Sequence, residues 1–403
     1  MSKHTLILDN GAFAIKAGYA DAPYPPYIAP NCIMKGKADR TTYVADQICE
    51  CRNFAGLFYR VPFEKGYVTG WDIEKDIWDR VFSPHVLACN PSSTDLIITE
   101  PPFNLPALAD AYDEMIFEEY GFQRRCRITA AELSVWNDLT QLLPPGTNQP
   151  PSMPECVLVV DTGFSFTHIL PLLNGFPILD GLKRINIGGK LLTNHLKELI
   201  SFRQWNMMDE TYVINEVKEM CCFISTDFNV DLKTAQLPQD TNPLSMEYLL
   251  PDFVTNMKGT IRSKDSDVRM TDDDQVLIMN SERFCVPELL FRPSDIGIEQ
   301  AGVSEVIVRV IESLPTDMQP GFYANILIIG GNACMQGFKE RVEADLRTMA
   351  PTHCRVRVAI PDDPITFAYH GGIRLAQQFP DVLNARMMSR NEYFEQRLGH
   401  QLR

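Results

Sequence analysis

Apolar runs interrupted by short polar turns recur along this chain in one pattern. Residues 156–171 (CVLVVDTGFSFTHILP) stay apolar as far as Val160, break at Asp161-Thr162-Gly163, and resume through Phe166, Thr167 and His168. Residues 5–19 (TLILDNGAFAIKAGY) repeat the design around Asp9-Asn10-Gly11. β-rich runs joined by a short Asp/Asn/Gly turn are a strong local hairpin signal, so both stretches predict hairpins. A third run, residues 325–331 (NILIIGG), ends in Gly330-Gly331 and leads to a helical pattern over residues 338–349. Strand, glycine pair and helix start recur where a phosphate or nucleoside is held. For this loop alone, a glycine pair that only lets strand and helix pack closely is an equally good reading.

The stretches between carry the same alternation. Residues 67–82 set Trp71, Ile77, Trp78 and Phe82 at helical intervals, which predicts an amphipathic helix facing a core. Thr94–Thr99 reads as a buried strand and residues 105–120 as the helix after it. Residues 188–202 place Leu192, Leu196, Leu199 and Ile200 on one helical face, and residues 208–223 form a further helix. Strands alternating with helices both before and after residue 156 predict two related α/β halves built on largely parallel sheets. Residues 143–154 carry five prolines and a glycine, which reads as a surface crossing or hinge between the halves. Residues 20–34, with Pro23, Pro25, Pro26 and Pro30, are extended or turning. From Gln377 onward, a docked helix and a mobile tail are both open.

Composition narrows the class. A chain of 403 residues is too long for one small core and predicts two or three domains. Its 45% apolar and 22% charged residues are those of a globular protein. No apolar run reaches the roughly 18 residues of a membrane span, and no signal-peptide pattern follows Met1–His4, so a soluble, non-secreted chain is expected. The 11 cysteines include Cys49, Cys51 and the adjacent Cys221 and Cys222 but show no framework, which predicts reduced thiols and no zinc site. A net charge of −15 argues against strong direct DNA binding. It suits basic partners such as histones, although an acidic surface is more often simply a soluble one.

The two turns also carry candidate chemistry. A glycine lets the backbone approach a bound anion, and an Asp at the end of a buried strand can hold a hydrated cation against phosphate oxygens. A pair of such turns about 150 residues apart therefore predicts a nucleotide cleft between the halves. His168, taken alone, reads as a satisfied core histidine more readily than as a catalytic one.

The motifs LDNG…KAGY, ITEPPFN, VVDTGFSFTHILP, INIGGKLLTNHL, SERFCVPELLF and ILIIGGN, in that order, resemble the actin superfamily over nearly the whole chain. INIGGKLLTNHLKELISFRQ, MDETYVINEVKE, FEEYGFQ and CVPELLFRPSDIGI are more similar to its actin-related protein 6 family than to filament-forming actin. The resemblance implies the α/β actin-like fold shared with sugar kinases and chaperone ATPases, in four subdomains. The first half would be residues 1–151 plus 366–403, with a small subdomain at about 31–66. The second would be residues 152–365, with an insertion-bearing subdomain at about 187–279. The expected nucleotide contacts are Asp9, Asn10, Gly11, Lys16, Asp161, Thr162, Gly163, Gly189, Lys218, Glu219, Gly330 and Gly331, with Asp9 and Asp161 holding Mg²⁺ through water.

Departures from the actin pattern change the expected chemistry. Ala130 stands where actin has its water-orienting Gln, and alanine can neither orient nor polarise a water. Phe164 replaces a second acidic residue of the hairpin, Phe13 a phosphate-loop glycine, and Ile365 a lysine on the adenine side; Thr167 and His168 are kept. The expectation is ATP or ADP with Mg²⁺ bound structurally, as a staple between the halves, with little or no hydrolysis. The family resemblance further implies a subunit of a nuclear Swr/SRCAP-type remodelling complex, also found in the cytoplasm and linked to heterochromatin and gene regulation. Its partners there would be a Snf2-class ATPase, a HIT-type zinc-finger subunit and, through the complex, histones or the nucleosome, with no membrane. Residues 254–274, an insertion relative to actin, read first as a solvated loop and second as a protein-binding element. Two competing readings are a polymerising cytoskeletal actin, disfavoured by a shortened small subdomain, and a phosphotransferase of the sugar-kinase or chaperone type, which lacks a visible substrate base.

Overall fold

The computed structural model describes residues 4–22, 25–36, 41–51, 54, 57–142, 154–253, 257–262 and 275–401. The crossing at residues 143–153 and most of the 254–274 insertion lie outside them.

Both predicted hairpins form, and each seeds a six-stranded sheet. In the first, His4–Asn10 and Ala14–Tyr19 pair antiparallel with Asp9 opposite Lys16. His4–Asn10 also runs parallel to Thr94–Thr99, which runs parallel to Arg124–Ile128. Tyr27–Pro30 and Met388–Ser389 form the two edges. In the second sheet, Cys156–Thr162 and Thr167–Leu173 pair antiparallel with Asp161 opposite His168. Cys156–Thr162 runs parallel to Ile326–Ile329, and that strand to Val358–Ala359. The parallel strands are apolar almost end to end because helices cover both faces, and Leu6–Leu8, Leu96–Ile98 and Ile326–Ile329 are all buried.

An apolar core joins the two sheets. Ile7 and Ile97 of the first and Val157, Val159, Leu327 and Ile329 of the second pack around Leu133, Tyr369 and Leu375. These last three lie on two helices, Ala130–Ser134 and Phe367–Gln378, that pack together between the sheets. The contact is backbone-close: a Cβ on Gly371 would sit 1.9 Å from the Leu133 carbonyl oxygen. Two smaller three-stranded sheets complete the chain. One is Ile33–Lys35, Thr42–Val44 and Phe58–Arg60; the other is Met246–Leu249, Thr260–Arg262 and Val276–Met279.

Several boundaries differ from the sequence reading. The helix expected from residue 67 starts at Trp71, because Tyr67–Val68 pairs as a strand with Phe63–Glu64. The helix expected over residues 105–120 is α-helical over Pro106–Glu114, then continues as a π-turn, Met115–Tyr120, that stops at Gly121. The chain after Gln377 docks on the first half. There Met388 pairs with Arg125, Tyr393 stacks on Phe117 at 5.0 Å, and Arg397 meets Glu114 at 3.1 Å.

The helix crossing at Gly371 makes a prediction. Gly371→Ala must push Leu133 and its backbone away, so it destabilises the chain by about 3 kcal/mol, the upper end for overpacking. Gly399→Ala, in the Arg390–Gln401 helix with nothing within 4 Å of the added Cβ, stabilises by about 0.5–1 kcal/mol instead. Urea denaturation of both variants checks the contrast, and equal effects would refute it.

Candidate nucleotide cleft

The two hairpin turns face each other across a cavity of about 610 Å³. Of the residues expected to touch nucleotide, Asp9, Asn10, Gly11, Lys16, Asp161, Gly163, Gly189, Lys218, Glu219, Gly330 and Gly331 line it. Thr162 does not. Successive side chains of a strand point to opposite faces, so Asp161 and Gly163 turn to the cavity while Thr162 turns behind it. There its hydroxyl accepts a bond from Asn332 Nδ2 at 3.1 Å and lies 3.2 Å from the Thr167 hydroxyl. Thr162 is thus a buried prop for the glycine loop, its side chain turned behind the cavity wall.

The floor of the cleft is a charge cluster. Asp9 sits 3.1 Å from Lys16 Nζ and accepts a 2.9 Å bond from the Thr99 hydroxyl, which itself accepts the Asn10 N–H at 2.7 Å. Asn10 is anchored from below, donating its amide to Glu74, which also takes the Trp78 indole N–H at 3.1 Å. Glu74 is fully buried, and burial pushes its carboxyl up to about 7. Asp161 has no hydrogen-bond partner among the described residues. Burial first, and the Asp9 carboxylate second, push it up to about 7, with Lys16 pulling the other way.

The walls are set by the second half. Lys218 is 4% exposed and donates to Thr193 Oγ1 and Asn215 Oδ1, each at 2.9 Å, and to the Gly189 carbonyl at 3.3 Å. Burial beside these neutral acceptors lowers its basicity. Gly330 takes φ 94°, a conformation open to glycine, and donates its N–H to the Pro364 carbonyl at 2.9 Å. Asn332 Nδ2 also donates to the Gly163 carbonyl at 2.9 Å, so one amide ties the glycine loop to the second hairpin turn. His168 lines the cavity, and burial, then Arg184, push it down to about 4, so it is neutral near pH 7.

The departures from the actin pattern sit in the same cavity. Ala130, Phe13, Phe164 and Ile365 all line it. Ala130 opens the helix capped by Thr129, whose hydroxyl accepts the Glu132 N–H at 3.2 Å, so its methyl is fixed in the wall. Phe13 and Phe164, one on each turn, bring their ring centroids to 5.1 Å. Thr99, Glu74 and Asn332 escaped the sequence reading. Glu74 left a trace, as the one acidic residue on the helical stripe of Trp71 and Trp78. Thr99 and Asn332 left none, because their partners lie 90 and 170 residues away.

The raised carboxyl of Asp161 predicts a pH signature. Its folded value of about 7 lies above the roughly 4 of an unfolded Asp, so its charge costs stability only once pH rises through that interval, and fully above it. Asp161→Asn therefore stabilises the nucleotide-free chain on the order of 1–2 kcal/mol at pH 8, discounted for water in the open cleft, and by almost nothing near pH 4. Denaturant midpoints of variant and parent across that range provide the check. A pH-independent difference would contradict the shift.

Comparison with known proteins agrees with the geometry. The family profile described as Actin matches residues 2–400. A Cryptococcus neoformans protein named actin-like protein ARP6 is 41% identical, covering 97% of this chain and 82% of that protein. Actin-related protein 6 of Drosophila melanogaster is 37% identical over 93% of this chain and 94% of its own length. Its namesake from Oryza sativa subsp. japonica is 36% identical over 97% and 96%. With matches that span the chain from end to end and both hairpins facing one cavity, this chain belongs to the actin family, within the actin-related protein 6 group.

Proposed function

We propose that the chain is a non-catalytic, actin-fold subunit of a nuclear Swr/SRCAP-type assembly that exchanges a histone variant into nucleosomes. The observation that carries the non-catalytic part is Ala130. Phosphoryl transfer to water depends on positioning the attacking oxygen, and the wall offers a methyl group where a side-chain amide would do this. His168, kept nearby, is neutral near pH 7, but one imidazole does not replace the missing amide. The assembly role is supported by the likeness to proteins named actin-related protein 6. In that setting a Snf2-class ATPase and a HIT-type zinc-finger subunit are the direct partners, and histones are reached through the complex. The acidic balance of the chain, −15, agrees with basic neighbours.

Members of the actin family usually bind a nucleotide with Mg²⁺, and the cleft retains a donor set for one. Asp9 and the unpartnered Asp161 offer carboxylates for a hydrated cation, Lys16 offers a cation for phosphate, and the backbone at Gly331 is open, with nothing within 4 Å of an added Cβ. Mg²⁺-bound ATP or ADP would supply charge neutralisation between the halves. The chain's own residues supply the binding: Lys218 and Glu219 on one wall and the two turns on the floor. Such a ligand stabilises the chain in proportion to how tightly it binds.

Three measurements test this reading. Steady-state phosphate release from Mg-ATP stays at background for the purified chain, whereas turnover as fast as filament actin's, lost in Asp161→Ala, would overturn the non-catalytic reading. The chain stays in the supernatant on sedimentation after Mg-ATP is added. Tagged purification from nuclei brings down the remodelling ATPase and the zinc-finger subunit; recovery of neither would refute the assembly role.

A further inference from the structure

We propose that an aromatic clamp built from Phe13 and Phe164 closes the cleft, so that the two halves hold together without a nucleotide between them. This goes beyond the reading above, because it concerns what keeps the cleft shut and stands whether or not the chain serves a remodelling assembly.

The argument starts from position. Phe13 follows Gly11-Ala12 at the tip of the first hairpin, and Phe164 follows Gly163 at the tip of the second. These tips carry the backbone N–H groups that would grip an anion from both sides. In a cleft that depends on nucleotide, the anion is what both halves hold, and without it two loosely facing turns have no reason to stay close. Here the side chains meet directly, with ring centroids 5.1 Å apart and planes tilted by 43°, within the favourable range for an aromatic pair. Phe13 is nevertheless 46% exposed. Its ring is held out into the cleft instead of folding back into the first half, and its ring partner is Phe164 of the opposite half.

Two more contacts bridge the halves in the same sense. Arg184 of the second half lies 4.6 Å over the Phe166 ring and donates to the Tyr67 hydroxyl of the first half at 3.2 Å. Phe54 of the small subdomain also stacks on Tyr212 of the second half at 4.7 Å and 19°. Three separate side-chain contacts thus join the two halves. Both rings line the cavity on the turns that would grip the phosphates, so on this proposal nucleotide parts the rings as it binds. Closure and nucleotide occupancy are then separate properties of this chain, and nucleotide exchange is slow.

The test uses the full chain stripped of nucleotide with EDTA and a phosphatase, then reloaded with Mg-ATP. Small-angle scattering of the wild type gives the same radius of gyration in both states. The double variant Phe13→Gly with Phe164→Asp expands when stripped and contracts with Mg-ATP. Etheno-ATP enters the double variant about tenfold faster than the wild type, the factor one ring pair's contact represents. Uptake by the double variant alone supports the clamp equally. Phe13→Leu with Phe164→Leu keeps the apolar contact and follows the wild type, which separates loss of the clamp from loss of fold. A wild type that expands when stripped overturns the proposal, and so does a folded double variant that stays compact and slow. If the glycine–aspartate variant does not fold, the single variant Phe13→Gly, at a 46% exposed position, takes its place with the same two outcomes.

Discussion

The structure depends on the close crossing of two helices between two sheets. Ala130–Ser134 and Phe367–Gln378 meet where Gly371 leaves no room for a side chain, and the apolar residues of both sheets close over them. This contact does two things at once. It makes one core out of two α/β halves, and it places the ends of the Asp9 and Asp161 strands on either side of a single cavity. Because such cores are packed to crystal-like density, helix packing fixes where the two strands end, and only the remaining gap between the turns is left to side-chain contacts. The cleft is therefore shaped before any ligand enters it.

That prior shape explains the electrostatics of the floor. Asp9 and Asp161 are brought together by the fold, with Lys16 as the one nearby cation, 3.1 Å from Asp9. The Asp161 carboxylate is buried beside a partner of its own sign, with no hydrogen bond among the described residues, and its raised carboxyl is the result. A site that keeps such an arrangement is built for added positive charge. Glu74 beneath Asn10 is also raised by burial, but two hydrogen bonds to its Oε1 tie it to Asn10 and Trp78. The first carboxyl is available to a ligand, and the second is committed to holding the turn.

Much of this was legible in the sequence where the determinants are local. The hairpins followed from their turns, Thr94–Thr99 and Phe338–Met349 from uninterrupted patterns, and the cleft from two similar turns in two halves. What escaped depends on register between distant segments. Thr99 reaches Asp9 only because two strands pair in parallel, and Asn332 reaches Thr162 only because the glycine loop folds over the second turn. The placement of the Thr162 side chain is local, since strand alternation turns it away from Asp161 and Gly163. The sequence identified Phe13 and Phe164 as departures; that they touch is a property of the assembled cleft.

On the proposed non-catalytic role, these parts also explain how the cleft remains without a water-orienting residue. The group that orients water is a single side chain on the cleft wall, and an alanine at position 130 leaves the helix cap, the packing of Leu133 and the crossing at Gly371 intact. Asp9, Asn10 and Asn332 cannot be dropped so cheaply, because each is tied to a neighbour that holds the turns: Asp9 to Thr99, Asn10 to Glu74, Asn332 to Gly163. Removing any of them leaves a buried partner unsatisfied, at a typical cost of about 1–3 kcal/mol. An actin fold in the proposed scaffold role can therefore carry alanine at position 130 and an aromatic pair between its turns and still keep Asp9, Asp161, Lys16 and the glycine loop in one cavity.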